Sequence, residues 1–126
     1  MYTILIVDDD AVVRELLQEA FKAKGWFVAT AEDGARGFEL AERIRPSLIV
    51  MDIMMPSVYG TSAAKRLQEE SATSRIPIVV YSSVDAAKAK TLLPEGPRVR
   101  FVGKTEGLDR LRSVVIEMLQ PAAGPS

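Results

Sequence analysis

Two periods of hydrophobic patterning alternate along the chain. Short apolar runs recur at residues 4–7 (ILIV), 26–29 (WFVA), 48–51 (LIVM), 78–81 (IVVY) and 99–102 (VRFV). The first, third and fourth are apolar at every position, which predicts central strands of a parallel sheet covered on both faces. The second and fifth are less uniform and are expected toward the sheet edges. Between the runs the period lengthens to that of a helix. Val13, Leu16, Leu17, Ala20 and Phe21 mark a first helical face, with Asp10 as N-cap and Gly25 as stop. Asp33 caps a second helix with the stripe Phe38, Ala41 and Ile44, ended by Pro46. Ala63, Ala64 and Leu67 follow Gly60 as a third. Residues 84–93 give a weak fourth, closed by Pro94, Gly96 and Pro97, and Leu108, Leu111, Val115 and Met118 a fifth.

Five strand–helix alternations predict a doubly wound α/β fold, a five-stranded parallel sheet with right-handed crossovers on both faces. Such sheets bind ligands beyond the carboxyl ends of their strands. The chain has 126 residues, 48% hydrophobic and 26% charged, which is the size and balance of one globular domain. That domain is expected over residues 1–120. Residues 121–126, small and rich in Pro and Gly, read as a disordered tail or the start of a linker.

Charge and composition then remove whole classes of chemistry. Sixteen basic residues balance 17 acidic ones, net −1, so no basic excess points to nucleic acid or to a membrane surface. The absence of cysteine and histidine removes disulfides, zinc–thiolate sites, Ser-His-Asp and Cys-His catalysis and imidazole ligands. The N-terminal MYTILIVDDD lacks a signal peptide's basic region, and the longest apolar runs are too short to cross a bilayer. These features together place the chain in the cytoplasm.

The residues after the strands carry the candidate chemistry. Asp8, Asp9 and Asp10 follow the first strand, Asp52 ends the third, Ser82 and Ser83 follow the fourth and Lys104 follows the fifth. Asp10 reads as a cap. Asp8, Asp9 and Asp52 would form a carboxylate cluster, costly unless a cation neutralises it. All-oxygen ligands point to Mg²⁺ or a similar divalent ion. Lys104 is a point-charge phosphate binder and Ser82 a hydroxyl donor. A carboxylate nucleophile, a metal, a lysine and a hydroxyl together suit phosphoryl transfer onto an aspartate.

With these residues in place, the sequence resembles the receiver domain of bacterial two-component response regulators. The resemblance covers about residues 2–120 and rests on ILIVDDD at 4–10, DIMMP at 52–56 with Gly60 four residues beyond, IP at 76–77 before the fourth strand, and Lys104 22 positions after Ser82. It implies a flavodoxin-like fold with strand order 2-1-3-4-5. It implies Asp52 as phosphoacceptor, with Asp8, Asp9, Asp52 and the backbone carbonyl of Met54 as Mg²⁺ ligands. Ser82 becomes the switch hydroxyl, Phe101 the aromatic switch and Lys104 the phosphate contact. The implied donor is a phosphohistidine on a sensor histidine kinase or phosphotransfer protein, and the output is a target protein or a further effector domain. The chain then catalyses only its own phosphorylation and dephosphorylation. Met54 and Val84 flank the approach of water to the phosphoryl group, and neither orients water strongly, which predicts slow self-dephosphorylation.

The sequence departs from that family at three places. Thr105 replaces the proline that usually follows the lysine, often through a cis peptide. A non-proline cis bond costs about 2.5–4 kcal/mol, so a trans, differently shaped loop is expected. Pro94, Gly96 and Pro97 replace an Ala-Gly-Ala-like helix exit, and Tyr59 replaces a common acidic residue. Gly103-Lys104-Thr105 resembles the end of a phosphate-binding loop, but Arg98 stands where its first glycine is required. A metal-dependent phosphatase lacks its cap domain here. The alternative reading is a degenerate receiver that binds partners without phosphorylation.

Overall fold

The computed structural model describes residues 1–53 and 60–120. Strand and helix alternate as β1 (Thr3–Val7), α1 (Ala11–Lys22), β2 (Phe27–Ala31), α2 (Gly34–Ile44), β3 (Leu48–Met51), α3 (Gly60–Glu69), β4 (Ile78–Ser82), α4 (Ala86–Leu92), β5 (Val99–Gly103) and α5 (Leu108–Leu119), with a 3-10 turn at Lys104–Glu106. The sheet order is β2-β1-β3-β4-β5 and every pairing is parallel. The uniformly apolar strands are therefore central, and the two mixed ones are the edges. Met54, Pro56, Tyr59 and the tail after Gln120 lie outside the described residues.

Alternating side chains divide the core into two layers, as the period of a strand requires. Ile4, Ile6, Leu48, Val50, Val79 and Val102 point toward Leu17 and Phe21 of α1 and Leu111, Val114 and Val115 of α5. Leu5, Val7, Ile49, Met51, Ile78 and Val80 point toward Phe38 and Ala41 of α2, Ala63, Ala64 and Leu67 of α3, and Ala89 of α4. Each large side chain fully withdrawn from water contributes roughly 1.5–3 kcal/mol. Three helices are capped where an Asp precedes them. Asp10 accepts from the Val12 amide at 2.9 Å, Asp33 from Arg36 at 2.8 Å and Asp85 from Ala87 at 2.7 Å. Each such cap is worth about 1 kcal/mol.

Several expectations shift by a residue or a face. β2 begins at Phe27 and runs to Ala31, so Trp26 stands outside it, stacked on Phe21 with ring centroids 5.9 Å apart. Leu16 is half exposed, because the inward face of α1 runs through Leu17 and Phe21, and Leu16 lies about 100° away around the helix. Ile44 is also exposed. It closes α2 next to Arg45, whose left-handed backbone (φ 45°) turns the chain ahead of Pro46. In α5 the buried stripe includes Val114, while Leu108 and Met118 pack at its margin. The fourth helix is only Ala86–Leu92.

Gly37 marks the closest approach of α2 to the sheet. A Cβ there would lie 2.7 Å and 2.9 Å from the two γ-carbons of Val7, which is fully buried on β1. Val7 is β-branched and stiff, so it cannot swing aside. Gly37→Ala is expected to destabilise the fold by about 1–2 kcal/mol despite alanine's better helix propensity. The check is urea unfolding of Gly37→Ala, Val7→Ala and the double variant. A non-additive rescue in the double variant is expected, and additive losses would locate the strain elsewhere.

Candidate functional site

The parallel register places the ends of β1 and β3 side by side, with Val7 opposite Met51, so Asp8 and Asp52 emerge as neighbours. The backbone secures both: the Asp52 amide donates to Val7 O at 2.9 Å and the Asp8 amide to Ala31 O at 3.1 Å. Asp8 and Asp52 are 2% and 5% exposed, so each carboxylate needs partners. Asp8 Oδ1 accepts from the Asp10 amide at 2.9 Å, and the Arg14 guanidinium donates to Asp8 O at 2.8 Å.

Lys104 crosses from the end of β5 to join them. Its Nζ lies 2.9 Å from Asp8 Oδ2 and 2.9 Å from Asp52 Oδ2. The other Asp52 oxygen, Oδ1, accepts from the fully buried Ser82 hydroxyl at 2.9 Å. The Ser82 oxygen in turn accepts from the Val84 amide at 3.3 Å, which joins the site to the loop before α4. No cis peptide occurs among the described residues, so the Lys104–Thr105 bond is trans, as expected without proline. The lysine nevertheless reaches both carboxylates.

Burial is the main influence on Asp8 and lifts its carboxyl above the ordinary 3.8, against the Asp10 amide and Lys104 and with help from the Asp52 charge. Burial works the other way on Lys104. Its hydrogen bonds to Asp52 and Asp8 outweigh that burial and hold the ammonium above its ordinary 10.5. The lysine contribution to stability is therefore full below its unfolded value and is lost only as pH rises through the higher folded one.

Asp8, Asp9 and Asp52 bring one carboxylate oxygen each to within 4.8 Å of one another, with Asp9 on the exposed side. At that spacing the three carboxylates can share one ion, directly or through its bound water. Hard anionic oxygens are the donor set for Mg²⁺. The three predicted aspartates, Ser82 and Lys104 are thus gathered at one rim. Val84 is joined to it through the Ser82 hydroxyl, and Phe101, opposite Val80 on β5, is half buried against the layer of α2, α3 and α4. Met54 falls outside the described residues. Sequence reasoning missed Arg14, Glu95 and Glu106. Glu95 and Glu106 cap amides of β5, and no spacing rule marks a carboxylate that caps a strand edge from a turn.

The comparisons agree with this geometry. The model of the response regulator receiver domain family matches residues 4–116, and the chain belongs to that family. It is 30% identical over 125 residues to the response regulator MprA of Mycobacterium sp. strain KMS, covering 97% of this chain and 54% of that protein. The chain spans about a third to a half of the first curated relatives it matches. Among solved structures it is similar to the chemotaxis protein CheY4 of Vibrio cholerae, at TM-score 0.85 and 22% identity over 94% of this chain and 98% of that one. It is also similar to the response regulator TrrA of Thermotoga maritima bound to Mg²⁺ and beryllofluoride, at TM-score 0.75 and 24% identity over 94% and 99%. TrrA has also been solved in complex with the histidine kinase ThkA.

The raised Asp8 carboxyl has a sign that can be tested. A carboxyl raised in the fold supplies stability below its unfolded value and loses it as pH rises through the folded value. At neutral pH the metal-free protein therefore carries the cost of Asp8 ionisation. Asp8→Asn keeps an acceptor for the Asp10 amide, and it is expected to raise the urea midpoint in EDTA at pH 7 while weakening Mg²⁺ binding steeply. A lowered midpoint would show that the pairing with Lys104, not burial, dominates at Asp8.

Proposed function

We propose that this receiver domain takes a phosphoryl group from a phosphohistidine of a partner kinase or phosphotransfer protein onto Asp52, and so switches an output surface. One observation carries this reading. Asp52 is buried, yet its two oxygens are addressed separately, one by the Ser82 hydroxyl and one by the Lys104 ammonium. A phosphoryl group formed on either oxygen would therefore meet a donor already in place. In the transfer, the phosphorus–nitrogen bond of the donor breaks and a phosphorus–oxygen bond forms at Asp52. The imidazole leaves with the electron pair, and the chain contributes no histidine of its own.

Asp8, Asp9 and Asp52 would hold Mg²⁺, with the Met54 carbonyl as the further ligand that the family implies. The ion supplies charge neutralisation for the oxygens of the phosphoryl group. The rest is the work of this chain. Lys104 contacts a phosphoryl oxygen as a point charge, and Ser82 donates its hydroxyl to another. Phe101 is the aromatic whose ring moves when that hydroxyl moves. TrrA in complex with its kinase supports a kinase as donor, and MprA, about twice as long as this chain, supports an output beyond the domain itself. The cytoplasm is the compartment where such a kinase partner is met. The domain acts as a signalling switch, and the reactions it assists are its own phosphorylation and dephosphorylation.

Two measurements test this. Incubation with a small phosphodonor and Mg²⁺ is expected to add one phosphate to the wild type and none to Asp52→Ala, read by intact mass. Phosphate that survives the substitution would place the acceptor elsewhere. The second concerns lifetime. Met54 and Val84 offer no strong acceptor to orient a hydrolytic water, and a positioned water is part of the proximity contribution to catalysis. The phosphorylated wild type is therefore expected to decay several-fold more slowly than the Met54→Asn/Val84→Glu variant. Equal decay rates would show that these side chains do not govern water.

A further inference from the structure

β5 is an edge strand, and the amides of one edge of such a strand face outward unless something covers them. Alternate residues share a direction, and Val99, Phe101 and Gly103 all turn their amides away from β4. Each is taken. The Val99 amide donates to Gly96 O at 3.3 Å, within a reciprocal bridge that folds residues 96–99 back on themselves. The Phe101 amide donates to Glu95 Oε2 at 2.9 Å. The Gly103 amide donates to Glu106 Oε2 at 2.6 Å.

The two glutamates are built alike. The second oxygen of Glu95 faces Lys90 of α4 at 3.2 Å, and that of Glu106 faces Arg110 of α5 at 3.8 Å. Each carboxylate thus bridges an outward amide of β5 and a cation on a flanking helix. The cationic partners are half exposed, and such pairs contribute little alone. The stronger element is the charged acceptor on the backbone amide. The lowered Glu95 carboxyl agrees, since the Phe101 amide is its largest cause, ahead of opposing burial and of Lys90 and Arg100.

The residues that these bonds fix are the ones the proposed switch uses. Phe101 is the aromatic itself. Gly103 precedes Lys104, and the Glu106 bond closes a three-residue turn around that lysine. The turn replaces the restraint that proline would give at Thr105. Resting on the phosphoacceptor reading above, we infer that Glu106 and Glu95 are positioning residues: Glu106 clips the turn that aims Lys104 at Asp52, and Glu95 clips the β5 backbone at Phe101 to α4.

The test compares Glu106→Ala, Glu106→Gln, Glu95→Ala and Glu95→Gln in the full chain. Glutamine keeps an oxygen for the amide and loses only the charge. Glu106→Ala is expected to slow Mg²⁺-dependent phosphorylation from a small phosphodonor about tenfold, the factor that one charge-assisted hydrogen bond supplies, with Glu106→Gln, which keeps a neutral acceptor, falling between that variant and the wild type. Glu95→Ala is expected to phosphorylate at the wild-type rate. Amide hydrogen exchange separates the clips: Phe101 should exchange about tenfold faster in Glu95→Ala, and Gly103 in Glu106→Ala, without crossover. A merely structural role would lower the urea midpoint and leave the rate of the folded protein unchanged. Wild-type phosphorylation by Glu106→Ala, or equal losses in its Ala and Gln forms, overturns the assignment for Lys104. Unchanged Phe101 exchange in Glu95→Ala overturns the second clip. If the wild type itself takes no phosphate at Asp52, the phosphoacceptor reading fails, and the exchange results still decide whether the clips exist.

Discussion

Two nearly buried carboxylates face one ammonium at the carboxyl end of the sheet, and most of the architecture serves that meeting. Asp8 and Asp52 could not both stay ionised side by side in a poorly solvated pocket without a cation. Lys104 supplies one from the far edge of the sheet, across β4. Its reach requires β3, β4 and β5 to be parallel and in register, because only then do their ends share a rim. The same convergence explains why the pocket suits a divalent ion. A site that already tolerates a lysine ammonium between two carboxylates has the charge deficit that a hard cation fills.

The fold was legible because burial and period agreed. Strands buried on both faces leave uninterrupted apolar runs, and β1, β3 and β4 are such runs. Where burial is partial the pattern blurs. β2 has one fully buried residue, and its boundaries moved. Leu16 and Ile44 show the limit of stripe reading. An apolar residue one position off the inward line of a helix is indistinguishable in sequence from one on it, until the packing partner is known.

The site divides along a similar line. Asp52 interrupts an apolar stretch, and an isolated charge in such a stretch demands a partner. Asp8, Asp9, Ser82 and Lys104 follow strands, where parallel sheets collect ligands. Their positions are consequences of topology and could be read from it. Glu95 and Glu106 could not. They sit in turns, their partners are backbone amides, and a backbone amide has no signature in sequence. The substitution at Thr105 pointed to an altered loop. It gave no hint that a glutamate one position later would close the turn instead.

α4 is the element on which these connections meet. Seven residues are too few for a helix to hold itself together, so its position depends on its ends. At one end the Val84 amide donates to the Ser82 hydroxyl, which itself donates to Asp52. At the other, Lys90 faces the carboxylate that holds the Phe101 amide. The helix also enters the core through Ala89, with Leu93 buried just beyond its end. In the proposed transfer, a phosphoryl group on Asp52 would compete for the Ser82 hydroxyl. That competition would reach the loop before α4 directly, because the Val84 amide donates to the same hydroxyl oxygen. The sheet therefore holds the carboxylates in place, and the polar path from Asp52 through Ser82 to the Val84 amide ties them to the start of α4.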